Sequence, residues 1–238
     1  MDVIRIQDKK NTLMVAHRGL SGLERENTIR SFTAACNRSF YGSECDIHLT
    51  KDKKFVICHD DHIARVSNYD VKIKDVTLKA LRKYRLKEFN QDYDGADLLV
   101  PTLDEYLDLH KKYNKHCIIE IKCEIKPKDV KYLLDRIKDM YDLIIFIGFD
   151  MNNLIKIRKQ DKNIPIEFLS SHYDESYIKD LVKYNFGLDI YYKELTKERI
   201  ENLHNKGIIV NAWTVNDYND ALNLIDWGID YITTNILE

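Results

Sequence analysis

Five residues able to move protons or bind a metal stand at or near the ends of apolar, β-like runs: His17, Glu44, Asp46, His59 and Glu120. Leu13-Met14-Val15-Ala16 precedes His17, Phe55-Val56-Ile57-Cys58 precedes His59, and Cys117-Ile118-Ile119 precedes Glu120. Gathering three carboxylates and two imidazoles in an interior is costly unless each charge finds a partner. Residues two apart on a strand point to the same face. Glu44, Asp46 and His48 therefore share one face and Cys45, Ile47 and Leu49 the other; Glu120 and Lys122 repeat the pattern beside Ile119 and Ile121. Two acids on one buried face repel each other and lose hydration. A divalent cation offsets both costs, so Glu44, Asp46 and Glu120 read as an all-oxygen ligand set for one ion. Mg²⁺ or Ca²⁺ suits such a set better than zinc, which favours sulfur and nitrogen ligands. The competing structural reading is a buried salt-bridge network with Arg18 and Lys122.

His17 and His59, beside that carboxylate set, read as an acid–base pair working near neutral pH. Gly19 lets the chain turn away after His17 without a Cβ clash. Arg18 stands at the same junction, where its planar fork suits a phosphate. Three carboxylates, one divalent ion, Arg18 and Lys122 leave a single net positive charge. A phosphodiester monoanion neutralises it, which favours an anionic phosphoryl substrate over a neutral sugar or amide.

The elements that must position these groups alternate between two periods. Apolar β-like runs fall near 13–17, 43–49, 54–58, 116–122, 143–149, 164–169, 187–191, 208–214 and 230–234. Amphipathic stretches lie between most of them. Examples are 28–37 with Ile29, Phe32 and Cys36 on one face, and the faces Leu103/Tyr106/Leu107/His110, Val130/Leu133/Leu134/Ile137 and Ile178/Leu181/Val182. Thr102, Thr196 and Asp217 stand where helix caps belong. If 43–49 and 54–58 form a hairpin-like extension across Lys51-Asp52-Lys53, the remaining β/α units make a (β/α)₈ TIM barrel. No Gly-x-Gly-x-x-Gly turn follows the first strand, which counts against an open doubly wound sheet. Residues 60–100 break the rhythm and read as an insertion after the second β unit, over one end of a single barrel domain spanning 1–238.

Composition narrows the class. Of 238 residues, 44% are hydrophobic and 32% charged, and the formal net charge is -2, so bulk electrostatics point to neither nucleic acid nor an anionic membrane. The first residues do not resemble a leader, and no apolar run reaches the roughly 20 residues of a membrane span. Five cysteines with no C-x-x-C pair read as reduced thiols in a cytoplasmic protein.

Several short motifs occur in order: His17-Arg18-Gly19, Glu26-Asn27-Thr28, Glu44-x-Asp46, His59-Asp60, Pro101-Thr102-Leu103, Glu120-x-Lys122 and Trp213-Thr214-Val215-Asn216. Each is weak alone. The ordered set, over about residues 13 to 235, resembles the glycerophosphodiester phosphodiesterases. The resemblance implies a TIM barrel with a small insertion after the His59 unit. It implies hydrolysis of a small glycerophosphodiester to sn-glycerol 3-phosphate and an alcohol, with a divalent metal on Glu44, Asp46 and Glu120. His17 and His59 match the family's acid–base histidines, and Arg18 and Lys122 its phosphate-binding cations. Trp213 and Phe149 match aromatics lining the pocket, although Gly148 stands where the family usually has Ser before that Phe. Either the glycerol 2-hydroxyl or water is the expected nucleophile, with His17 the favoured base and His59 the favoured acid. Glu26 and Asn27 are expected to brace the first loop and cap its helix. His48 is expected nearer the barrel mouth, Trp227 in the core, and His62, His110, His116, His172 and His204 at the surface or in supporting positions. The competing functions are a phospholipase D-type activity on lysophospholipids and a non-catalytic phosphoester-binding barrel. Head-group preference and oligomeric state are not assigned.

Overall fold

The computed structural model describes residues 2–238. Its elements run β1 (Leu13–Ala16), α1 (Ile29–Cys36), β2 (Gly42–Leu49), β3 (Phe55–Ile57), α2 (Leu78–Leu81), α3 (Leu103–Tyr113), β4 (His116–Ile121), α4 (Pro127–Ile137), β5 (Ile144–Gly148), α5 (Met151–Gln160), β6 (Ile166–Ser170), α6 (Glu175–Tyr184), β7 (Gly187–Tyr191), α7 (Lys197–His204), β8 (Val210–Trp213), α8 (Tyr218–Asp226) and β9 (Tyr231–Thr234). The parallel strands follow the order β1-β9-β8-β7-β6-β5-β4-β2, and β1 pairs with β2 to close the ring. This is a TIM barrel. As the hairpin-like reading predicts, β3 pairs antiparallel on the outer edge of β2.

The two faces of each strand go to two cores. Outward residues such as Cys45, Ile47, Ile119, Leu188 and Ile190 pack under the helices with Phe32, Leu103 and Leu181. The barrel interior is filled by Val15, Ile118, Ile145, Ile147 and Leu169, of which Ile147 and Leu169 reach the cavity at its C-terminal mouth. Glu44, Asp46, Glu120, Glu167, Asp189 and Asn211 share that interior and are also buried. Helix starts follow the expected chemistry: Thr28 and Thr102 each close a capping box, and Asp150, Thr196 and Asp217 accept first-turn N–H groups. Each such cap contributes about 1 kcal/mol.

Three expectations need correction. Thr28, not Asn27, caps α1; Asn27 precedes it in the left-handed region at φ 55° and turns inward. Val182 is 52% exposed, because α6 packs through Ile178 and Leu181 and nothing covers the next position around the helix. Trp227 is the C-cap of α8 rather than part of it, and is only half-buried because the chain leaves the helix through Gly228 at φ 81°.

The segment after β3 builds a small core of its own. Ile63, Val66, Ile73, Leu81, Leu86, Leu98 and Val100 pack with Val56 and Cys58 of the hairpin arm. Arg25 donates to the carbonyl of Lys87 at 2.9 Å, and Arg30 pairs with Glu88 at 2.8 Å and with Asp97. The segment is thus fastened to the β1–α1 loop and the first turn of α1.

His110 supports the barrel wall behind β2. Its Nδ1–H donates to the Tyr106 carbonyl at 2.8 Å, and Nε2 accepts from Ser43 Oγ at 2.6 Å. The neutral ring is therefore fully satisfied, and burial pushes its pKa from 6.5 down to about 4. Between those values the unfolded chain takes a proton that the folded one refuses, so stability falls as pH drops from about 6.5 toward about 4. At about 1.4 kcal/mol per pKa unit, His110 should remove about 2 kcal/mol between pH 7 and pH 5. Urea unfolding of the wild type and of His110→Gln at both pH values checks this: the variant should lose that part of the pH dependence. An unchanged dependence would remove His110 as its source.

Candidate active site

The strand ends deliver the candidate groups to one cavity of about 160 Å³ at the C-terminal mouth of the barrel. His17, Arg18, Glu44, His59, Glu120, Lys122, Phe149 and Trp213 line it. Asp46 alone among the candidates lies behind the wall, fully buried. The β2–β4 register sets Asp46 directly opposite Glu120, which is why residues 74 positions apart in the chain meet.

One oxygen of each of Glu44, Asp46 and Glu120 lies within 4.8 Å of the others. Glu44 Oε2 accepts the Arg18 backbone N–H at 2.8 Å, and Asp46 Oδ2 accepts Asn27 Nδ2–H at 2.7 Å. Their other oxygens, Glu44 Oε1 and Asp46 Oδ1, have no hydrogen-bond partner. Orphaned buried carboxylate oxygens converging on one point fit a hard divalent cation. Burial, then the charge of Asp46, pushes Glu44 well above the usual carboxyl range and Glu120 up to about 8. Burial acts the same way on Asp46, but Arg18, Lys122 and His59 outweigh it and hold Asp46 down to about 2.

The histidines have unlike partners. His17 Nδ1 lies 2.7 Å from Asn235 Oδ1, an acceptor, so Nδ1 carries the hydrogen. Burial, then Arg18, pushes the ring down to about 4 and keeps it neutral. His59 Nδ1 instead meets the Asp60 carboxylate at 2.7 Å, and its Nε2 lies 3.3 Å from Lys122 Nζ. Burial, with Arg18 and Lys122, also lowers His59 against the pull of Asp46 and Asp60. His48 lies beyond Asp46 toward the C-terminal end of β2 but does not line the cavity: it is buried, with Nε2 3.2 Å from the His59 carbonyl, and so braces that turn.

Arg18 is less free than its place in the sequence implies. Its φ is 55°, and the next residue, Gly19, has φ 75°, where an added Cβ would lie 2.4 Å from Ser31 Oγ. The guanidinium pairs with Glu26 at 2.9 Å and with Asp46 at 3.4 Å. The simple charge count omitted Glu26, so Arg18 enters the site already half-compensated. Lys122 Nζ sits 3.0 Å from Glu120 and 3.7 Å from Asp46, and Glu120 and Asp46 raise its pKa against burial. The far wall is aromatic: Phe149 meets Trp213 edge to face at 5.8 Å, and Lys122 Nζ lies 5.9 Å from the Phe149 ring.

Sequence reasoning missed Asp189, Thr233 and Asn235, and did not tie Asn27 to Asp46 or Asp60 to His59. Asp189, with Thr233, also lines the cavity; Asp189 is buried with Oδ1 unpartnered, and burial together with Glu167 and Glu120 pushes it well above the usual range. Period-two alternation over β7 was signal enough to find it, since Leu188 and Ile190 face the helices. Asn27, Asp60 and Asn235 act from loops, where no periodicity announces a side chain's direction.

The model of the glycerophosphoryl diester phosphodiesterase family matches residues 17–238. A glycerophosphodiester phosphodiesterase of Caldanaerobacter subterraneus subsp. tengcongensis is 30% identical over 230 residues, covering 94% of this chain and 94% of that protein. The solved structure of one from Parabacteroides distasonis superposes with a TM-score of 0.78 at 28% identity, over 96% of this chain and 94% of that one. A phosphodiesterase of Oleispira antarctica, solved with its product sn-glycerol-3-phosphate, shares the fold at a TM-score of 0.84 and 24% identity, over 94% of this chain and 92% of that one. The matched stretch takes in every residue that lines the cavity, and the chain belongs to the glycerophosphoryl diester phosphodiesterase family.

Proposed function

We propose that this phosphodiesterase hydrolyses small glycerophosphodiesters to sn-glycerol 3-phosphate and an alcohol, with His17 as general base and His59 as general acid. The observation that carries the proposal is the contrast between the histidines' partners across one carboxylate cage. His17, neutral and donating Nδ1–H to an amide oxygen, leaves Nε2 as a proton acceptor. His59 is also lowered by burial and by Arg18 and Lys122, but it alone has a carboxylate, Asp60, at Nδ1 to stabilise an imidazolium once a phosphoryl anion offsets those two cations, and so to hold a proton for the leaving oxygen. Arg18 and Lys122 place two cations where phosphoryl charge develops. Phe149 and Trp213 offer the glycerol carbons an apolar wall. Glu44, Asp46 and Glu120 are the residues that would hold Mg²⁺ or Ca²⁺. Such an ion supplies Lewis-acid polarisation of the phosphoryl group. The product found in the Oleispira antarctica enzyme supports the same product class here.

No helix among the described residues is long and apolar enough to cross a membrane. Five unpaired cysteines, four of them buried, support a reducing, cytoplasmic setting.

Incubating the protein with glycerophosphocholine and Mg²⁺ or Ca²⁺, while following glycerol 3-phosphate, tests the proposal. Lysophosphatidylcholine runs in parallel. Glycerol 3-phosphate should accumulate with the first substrate. Turnover of the lysolipid alone would transfer the assignment to a phospholipase D-type activity, and no turnover of either would sink the hydrolytic reading.

A further inference from the structure

We infer that Arg65, on the insertion, is a positioning residue that sets both the Arg18 guanidinium and the His59 ring; the inference rests on the roles proposed for those two residues. Arg65 forms a bidentate pair with Glu26, Nη1 to Oε2 and Nη2 to Oε1, both at 2.8 Å. Its Nε donates to Asp60 Oδ2 at 2.7 Å. Each of these carboxylates also serves a site residue, Glu26 through the Oε1 it shares with Arg65 and Asp60 through its other oxygen. Glu26 Oε1 accepts from Arg18 Nη1 at 2.9 Å, and Asp60 Oδ1 lies 2.7 Å from His59 Nδ1. One fork thus ties the β1–α1 loop to the turn after β3.

Arg65 does not line the cavity, and its side chain is 43% exposed. Its neighbours Ile63 and Val66 are buried in the insertion's own core, so the backbone that carries the fork is anchored. Exposed ion pairs contribute little to stability. The geometry therefore points to placement as the use of this network. Three planar N–H directions serving two carboxylates need a guanidinium; an ammonium is a point charge on a flexible stem and cannot hold both. The insertion is then a part of the catalytic apparatus, since it supplies the residue that joins the phosphate arm to the proton arm.

The test combines kinetics with a readout independent of turnover. Arg65→Ala should lose about 10- to 100-fold in kcat/KM, as misplacement of supporting groups does, with kcat and KM both worsened. Asp60→Asn should act mainly on kcat and Glu26→Gln mainly on KM. Adding Arg65→Ala to Asp60→Asn should cost less than the two separate losses combined. Arg65→Lys should recover only part. In NMR spectra of the same proteins, the His59 Nδ1–H and Arg18 Nε–H resonances should both move in Arg65→Ala while the His110 ring signal stays. Those resonances report the two arms whatever the protein turns over. Moved resonances in a chain without diesterase activity would refute the proposed function and keep the positioning role. Unmoved resonances, wild-type kinetics in Arg65→Ala or Arg65→Lys, or a loss explained entirely by a lowered melting temperature would overturn the inference.

Discussion

His17→Ala and His59→Ala should each lower kcat by at least about 100-fold on glycerophosphocholine, the usual scale for a positioned acid or base. Choline departs as a poorly acidic alcohol and needs a proton at its oxygen. A p-nitrophenyl ester of glycerol phosphate does not, because its leaving group is stable as the anion. His59→Ala should therefore regain most of its rate on the nitrophenyl substrate, and His17→Ala should stay slow on both. The two rings differ in their partners: burial and Arg18 keep His17 neutral with its Nδ1–H on an amide oxygen, whereas His59 alone has a carboxylate, at 2.7 Å, that pulls toward its charged form against burial. Recovery of His17→Ala in place of His59→Ala would exchange the two roles. Full activity of either variant on glycerophosphocholine would remove that histidine from the chemistry.

The second large effect concerns the carboxylate cage. Chelation should abolish turnover, and Mg²⁺ or Ca²⁺ should restore it. The same treatment should change stability in a pH-dependent way. Glu120 titrates in the folded chain at about 8 against 4.5 unfolded, with burial as the first cause and Asp46 as the second. Between those values the folded state holds a proton that the unfolded state has released. Stability of the chelated protein should then fall as pH rises from about 4.5 to about 8, by a few kcal/mol in all. A cation that replaces the proton removes the penalty, so the gain in melting temperature on adding it should be larger near pH 8 than near pH 6. Asp46→Asn removes the innermost charge and should erase most of that gain. A melting temperature indifferent to both ions at both pH values would rule out the cage as a cation site. The trend opposes that of His110, which lowers stability on the acid side, so the two can be separated by variant.

The barrel was legible because hydrophobic period reports directly which faces are covered. The runs at 143–149, 164–169 and 187–191 became β5, β6 and β7, and the polar stripe Glu44/Asp46 faces inward as alternation demands. What failed was local. Val182 continues an apolar helix face that no neighbour reaches. Asn27 carries a capping residue type, but its left-handed backbone points the amide at Asp46 and leaves the cap to Thr28.

The site divides along the same line. By itself the sequence determined which groups end on the inner face at the strand tips, because strand alternation is a local property. The cage carboxylates and Lys122 were identifiable for that reason, whereas His17, Arg18 and His59 stand in the turns just past their strands and were picked out by residue type and position. Only the tertiary structure decided what each group is paired with. Asn235 lies 218 positions from His17, Glu26 is shared between Arg18 and Arg65, and Asp46 meets Glu120 through strand register. Burial and those pairings together set how hard each imidazole is to protonate, which carboxyls resist ionising and how free Arg18 is, since buried charge answers to lost hydration and to its nearest neighbours in space.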